Sequence, residues 1–221
     1  MMAEQLPLSL EWPKHFTFDT FVAGESNQSA FKLAQRWPDW PQGVLAIAGP
    51  AGSGKTHLAC AVAAKAGIVP HKFSDIAAID WREMAHVILE DGPISLGDEA
   101  QLFHVINGVR EEGGTLLLTA RTPPAQWPVT LPDLKSRLAA VVTGVISEPD
   151  DTLLRHMIAQ HFSDLGVLPQ PGLIDYVADR VERSFSGVEA CAAKLNQAAL
   201  ARQSKITTAL ARTVMGWPSV T

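Results

Sequence analysis

Residues 49–56 read Gly-Pro-Ala-Gly-Ser-Gly-Lys-Thr, with every fixed position of a G-x-x-x-x-G-K-[ST] phosphate-binding loop in place. The chemistry this pattern suits is the holding of a nucleoside di- or triphosphate. Gly49, Gly52 and Gly54 let the chain turn tightly, with Pro50, Ala51 and Ser53 between them, so that successive backbone N–H groups face the β-phosphate. Lys55 can reach the β- and γ-phosphates, and the Thr56 hydroxyl can hold Mg²⁺. His57 follows directly and is grouped with the nucleotide site as a packing or helix-start residue, not as a general base.

Hydrolysis at such a loop also needs carboxylates on a second strand, to complete the Mg²⁺ shell and polarise the attacking water. Val87-Ile88-Leu89-Glu90-Asp91 is the apolar run that ends in acids at a workable distance. A strand merely capped by solvated acids would read the same way, and the phosphate loop favours the catalytic reading. Sequence does not divide the roles; the assignment carried forward has Glu90 facing Mg²⁺ through water and Asp91 polarising water. Arg137 is a third candidate, because an arginine ahead of a last strand can stabilise a phosphoryl group in a neighbouring subunit. Read alone, it is an ordinary surface-helix arginine.

These residues require strands that end at the site and helices that begin there. Residues 44–48 form a short apolar run suited to a buried strand, and the Ala-rich residues 57–65 read as a helix. The loop therefore lies between strand and helix, with a helix N-terminus toward the phosphates. Further strands are expected at 67–69, 86–89, 115–119 and 141–146, and helices at 26–36, 78–84, 100–111 and 131–140. The alternation from about residue 44 to 147 predicts a parallel sheet covered on both faces. After Glu148-Pro149 the pattern becomes purely helical, over 150–165, 171–183, 186–203 and 207–215. The expected division is a flexible tail at 1–15, an α/β nucleotide-binding base at 16–148 and a helical lid at 149–221.

Composition excludes several classes. A net charge of −5 and a pI near 5.8 argue against strong direct DNA binding by the whole chain. No apolar run approaches the roughly 18 residues of a membrane span, and the N-terminus lacks a secretory pattern, so a cytoplasmic location is expected. Cys60 and Cys191 lie far apart in Ala-rich helical segments, where they read as buried small apolar residues. The seven histidines show no metal-ligand spacing.

Residues 16–27, Phe-Thr-Phe-Asp-Thr-Phe-Val-Ala-Gly-Glu-Ser-Asn, resemble the F-x-F-D-x-F-V-x-G-x-S-N box that opens the ATPase domain of DnaA, the bacterial replication initiator. The loop running into Lys55-Thr56-His57-Leu58, and residues 131–138 (Leu-Pro-Asp-Leu-Lys-Ser-Arg-Leu), are similar to the same family in colinear order. The resemblance stops near residue 215, without the C-terminal DNA-binding helices of the initiator. It thus resembles DnaA-related proteins of the Hda type, which inactivate the initiator. The resemblance implies an AAA+ fold, a P-loop α/β base with a helical lid. It implies Arg137 as an arginine finger acting in trans, and Phe18, Phe21 and Val22 as contacts to adenine. The implied cofactors are ADP or ATP with Mg²⁺.

Gln5-Leu6-Pro7-Leu8-Ser9-Leu10 resembles the Q-L-x-L-x-[LF] peptides that dock on the polymerase sliding clamp. Gln5 can hydrogen-bond at a pocket mouth while Leu6, Leu8 and Leu10 supply apolar ground. Such a hexapeptide is a weak signal alone and gains weight from the rest of the resemblance. Three positions depart from the family: Glu90 for the usual Asp, Arg121 for an Asp in the sensor segment, and Ser186 where a lid arginine is usual. Losing that arginine removes a charge contact to the phosphates, so slow or absent intrinsic turnover is expected. The expected function is negative regulation of replication initiation: a clamp-tethered, nucleotide-binding protein that promotes ATP hydrolysis by DnaA. The alternatives are an autonomous AAA+ loader or remodelling motor, and a non-hydrolysing nucleotide-binding scaffold. Expected partners are the clamp and DnaA, with no membrane; a homodimer is left open.

Overall fold

The structure is a computed structural model that describes residues 16–80, 84–92 and 99–218. Five parallel strands form one sheet: β1 (Val44–Ala48), β2 (His71–Lys72), β3 (His86–Gly92), β4 (Thr115–Ala120) and β5 (Val142–Val145). Their order is β2-β3-β4-β1-β5. Every residue of β1 and β4 is buried, as in strands covered on both faces.

Because side chains alternate across a strand, each strand serves two cores. Leu45, Ile47, Ile88 and Leu117 point to one face, against Ala30 and Ala34 of α1 (Gln28–Gln35) and Leu58, Ala59 and Val62 of α2 (Lys55–Ala66). Val44, Ala46, Val87, Leu89, Leu116 and Leu118 point to the other. There they meet Leu102, Val105, Ile106 and Val109 of α3 (Glu99–Glu111), and Leu134 and Leu138 of α4 (Pro132–Ala139). This two-faced cover is the arrangement expected from the alternation of strands and helices.

Helices α5 (Asp151–Asp164), α6 (Leu173–Ala178), α7 (Phe185–Ala201) and α8 (Thr208–Met215) follow. They bury a core of their own around Leu154, Ile158, Phe162, Val177, Leu195 and Leu210. Asp150, Ser184 and Thr207 each accept the backbone N–H three residues on, which fixes where α5, α7 and α8 begin. Helix α6 is shorter than the predicted 171–183.

Two expectations fail between α2 and β3. Residues 67–69 are not a strand: Gly67 caps α2 with φ 69°, and the Ile68 N–H returns to the Ala63 carbonyl. The edge strand falls instead on His71–Lys72, two polar residues that hydrophobic pattern does not flag. The helix predicted to start at residue 78 does not: a 3₁₀ segment at Phe73–Ala78 ends there and Ile79 is extended, while residues 81–83 of that prediction lie outside the described residues. Asn27, just ahead of α1, binds the preceding loop, accepting from the Gly24 N–H at 2.8 Å and donating to the Val22 carbonyl at 2.9 Å. Cys191 is buried as predicted, whereas Cys60 is only partly so. The tail with Gln5, Leu6, Leu8 and Leu10 lies outside the described residues.

Candidate nucleotide-binding site

The phosphate-type loop joins the carboxyl end of β1 to α2, at the edge of the sheet where ligands of open parallel sheets bind. Gly52 and Gly54 hold φ of 73° and 91°, a region that residues with a Cβ enter only with strain. A Cβ at Gly49 would lie 2.8 Å from the Ile146 carbonyl oxygen, one at Gly54 3.0 Å from the Phe21 ring, and one at Gly52 3.2 Å from Phe185 Cβ. The loop is therefore walled by the end of β5, the segment ahead of α1, and the first turn of α7. Helix α2 begins at Lys55, so its unpaired first-turn N–H groups open on the loop.

Lys55 Nζ donates to the carbonyls of Gly49 at 2.9 Å and Pro50 at 2.6 Å. Burial pulls its pKa below that of an ordinary lysine; Asp91 opposes this, Arg121 adds to it, and Glu90 opposes it. These four charged groups share one electrostatic neighbourhood. The Gly49 N–H donates to the Ala120 carbonyl at 3.1 Å, which sets Arg121 beside the start of the loop.

The acidic end of β3 is shaped by a bulge: Leu89 pairs with Leu118 and Gly92 with Ala120, so three steps on β3 face two on β4. Asp91 takes φ 68° within it. The two neighbouring acids consequently differ. Glu90 is 6 % exposed, and its Oε1 has no hydrogen-bond partner among the described residues. Asp91 is turned outward into an ion pair with Lys72, and its N–H donates to Thr119 Oγ1 at 3.3 Å. Ser53 Oγ is also buried without a partner.

A buried carboxylate oxygen without a donor is unfavourable unless a ligand completes it. Glu90, with the Thr56 hydroxyl at the start of α2, is thus a donor set that fits Mg²⁺. Among the described residues no group of three or more His, Cys, Asp or Glu side chains could hold a metal by itself.

His57 fastens the segment ahead of α1 to this end of the molecule. Its Nε2 lies 2.8 Å from the Thr17 carbonyl and 3.2 Å from Thr20 Oγ1, and its ring meets Phe21 edge-on at 5.2 Å. Desolvation holds its pKa below the usual imidazole value, with the Thr17 contact opposing. Phe21 stacks on Phe31 at 5.3 Å, and Phe18 meets the same ring at 6.1 Å. Phe21 thus reaches the loop at Gly54, while Phe18 and Val22 pack with it on the core shared by α1 and α2.

Glu90 and Asp91 are brought to the loop; Arg137 is not. It sits on α4, whose Leu134 and Leu138 pack on the sheet face opposite α2. Its guanidinium carbon lies 5.2 Å over the Phe103 ring. Sequence reasoning missed Phe103, Lys72, Thr119 and Phe185. Each acts through a contact from a distant element, and only the apolar spacing of Phe103 within α3 was visible beforehand. Ser186 lies beside Phe185 at the start of α7, with its N–H 3.8 Å from the Cβ position of Gly52, so that departure falls next to the loop.

Residues 12–74 match the bacterial DnaA ATPase domain family. The chromosomal replication initiator protein DnaA of Thermomicrobium roseum is 24 % identical over 89 % of this chain and 48 % of its own length. That of Caulobacter vibrioides is 26 % identical over 80 % of this chain and 43 % of its own. The chain spans about half the length of the curated relatives it matches. Domain III of the Thermotoga maritima DnaA superposes with a TM-score of 0.74 at 17 % identity, covering 91 % of this chain and 95 % of that one. The replication initiator DnaA bound to AMPPCP and single-stranded DNA gives 0.70 at 18 % identity, over 87 % and 69 %. The RuvB Holliday junction branch migration motor of Thermotoga maritima gives 0.70 at 19 %, over 90 % and 71 %. These likenesses establish the fold: a P-loop AAA+ sheet with a helical C-terminal region.

Proposed function

We propose that this chain is a DnaA-related regulator of the Hda type, acting in the cytoplasm as a negative regulator of replication initiation. It binds ADP or ATP at residues 49–56 and presents Arg137 to the ATP site of a DnaA molecule docked on the α3–α4 face. The observation that carries this reading is the placement of Arg137. It lies across the sheet from the helix that follows the chain's own loop, its guanidinium carbon lies 5.2 Å from the centre of the Phe103 ring, and no carboxylate among the described residues pairs with it. An arginine so placed is open to a neighbouring site. The working division is a tail at 1–15, a nucleotide-binding base at 16–148 and a lid at 149–221.

In this reading the loop N–H groups and Lys55 hold the phosphates. Phe18, Phe21 and Val22 flank the base, and Thr56 with Glu90 would hold Mg²⁺. Bound there, the ion neutralises phosphate charge. Asp91 is turned outward and occupied by its ion pair with Lys72, which accords with slow intrinsic turnover. The nucleotide then serves to fix the shape of the docking face, while hydrolysis takes place in the partner. Gln5, Leu6, Leu8 and Leu10 would tether the chain to a DNA-loaded sliding clamp, raising the effective concentration of the two ATPases. No helix of the described residues is long and apolar enough to cross a membrane.

A reconstitution with clamp, DNA and ATP-loaded DnaA tests this. Wild-type chain should accelerate ATP loss from DnaA, and Arg137→Ala should not; acceleration by the variant would remove the trans-arginine role. A second reading, an autonomous AAA+ motor, is favoured by the buried Glu90 beside the chain's own loop and by the RuvB likeness. Multiple turnovers by the isolated chain, increased by DNA, would select it.

A further inference from the structure

Arg137 stands on a prepared surface. Glu99 and Phe103 are four residues apart on α3 and therefore share one face of that helix. Both are spent on α4. The Glu99 carboxylate accepts the Thr130 N–H at 2.9 and 3.0 Å, the Leu131 N–H at 2.8 Å and the Thr130 hydroxyl at 3.1 Å, the two residues that lead into α4. Those backbone donors hold its carboxyl below the usual range. One turn further along α3, the half-buried Phe103, packed against the core beneath it, lies under the Arg137 guanidinium at 5.2 Å. Helix α3 thus grips the entry to α4 with one side chain and its arginine with the other.

The contact matters chemically. A guanidinium held over an aromatic ring by a cation–π contact leaves most of its five N–H donors for another partner. An ion pair with a carboxylate would hold the same side chain while consuming those donors. A long arginine with no support would sample many rotamers and present its fork in few of them.

We infer that Phe103 is a positioning residue for Arg137, selecting the rotamer in which the guanidinium fork faces an anionic group of a docked partner, such as the terminal phosphates of its nucleotide. This rests on the proposed in-trans role of Arg137. Loss of the ring lowers the fraction of docked complexes that hold the competent rotamer, so it shows in the maximal rate and not in docking affinity.

The test uses the full chain with clamp, DNA and ATP-loaded partner, titrating the chain against the partner's ATP hydrolysis. Phe103→Leu keeps apolar bulk and removes the ring; it should lower the maximal stimulated rate by about two- to fivefold, with the half-maximal concentration unchanged. Phe103→Trp should restore the wild-type rate. Combined with Arg137→Ala, Phe103→Leu should cost nothing further. A full rate for Phe103→Leu, or a failure of Phe103→Trp to rescue it, overturns the inference. A full rate for Arg137→Ala alone would instead overturn the in-trans reading, and the inference with it.

Discussion

Gly52→Ala probes the join between the loop and the C-terminal helices, and Gly67→Ala supplies its internal control. Both glycines hold left-handed backbone, with φ of 73° and 69°. An alanine in that region costs about 1–2 kcal/mol from the approach of its Cβ to the following carbonyl. At Gly67 a Cβ meets nothing within 4 Å, so this strain is the whole effect. At Gly52 the Cβ also comes within 3.2 Å of Phe185 Cβ. Phe185 is 5 % exposed, opens α7 and belongs to the core shared with α1 and α2, so it has little room to yield. Overpacking of this kind adds about 1 kcal/mol or more. Gly52→Ala should therefore lose about 2–3 kcal/mol where Gly67→Ala loses about 1–2 kcal/mol. Urea unfolding without nucleotide measures both, and calorimetric titration with ADP should show weakened binding for Gly52→Ala alone. Equal stabilities for the two variants would refute the claim that α7 is seated on the loop.

Lys55→Ala removes the charged donor of the loop and should weaken ADP binding at least about tenfold, as loss of a charge-assisted hydrogen bond does; calorimetry decides it. His57 has a folded pKa depressed below its unfolded value near 6.5, so its contribution is fully present above that pH and is lost as pH falls through the folded value. Urea midpoints of wild type should drop on acidification from about pH 7.5 to 5.5, and those of His57→Gln should drop less; parallel curves would contradict the assignment. Lys72→Ala breaks an exposed pair and should change stability by no more than about 1 kcal/mol in denaturant unfolding, so a larger loss would show that the pair supports the bulge. Gln5→Ala and Leu8→Ala should abolish clamp capture without moving the unfolding midpoint, and retained capture would remove the tether.

The P-loop and its place between a strand and a helix were legible because both are local. Glycines at fixed spacing, an apolar run and an Ala-rich helix need no distant partner to be recognised. The same holds for β3 ending in Glu90 and Asp91, and for the four helices after residue 150. The edge strand His71–Lys72 was not legible, since it forms only because β3 offers an open edge and its residues carry no apolar signature. Nor was the 3₁₀ segment after it, whose Phe73 and Ile76 are buried by contacts with α3 and β3 and not by helical periodicity.

At the site, residue types and spacing determined that a phosphate could be held and that two acids stood at the end of a neighbouring strand. The difference between those acids came from a bulge in the β3–β4 register, which buries Glu90 and turns Asp91 toward Lys72. The seating of Phe185 on Gly52, the fastening of His57 to Thr17, and the placement of Arg137 on Phe103 were likewise decided by tertiary structure. Backbone turns and amphipathic stripes are set by neighbours within a few residues, whereas burial and pairing depend on elements scores of residues away.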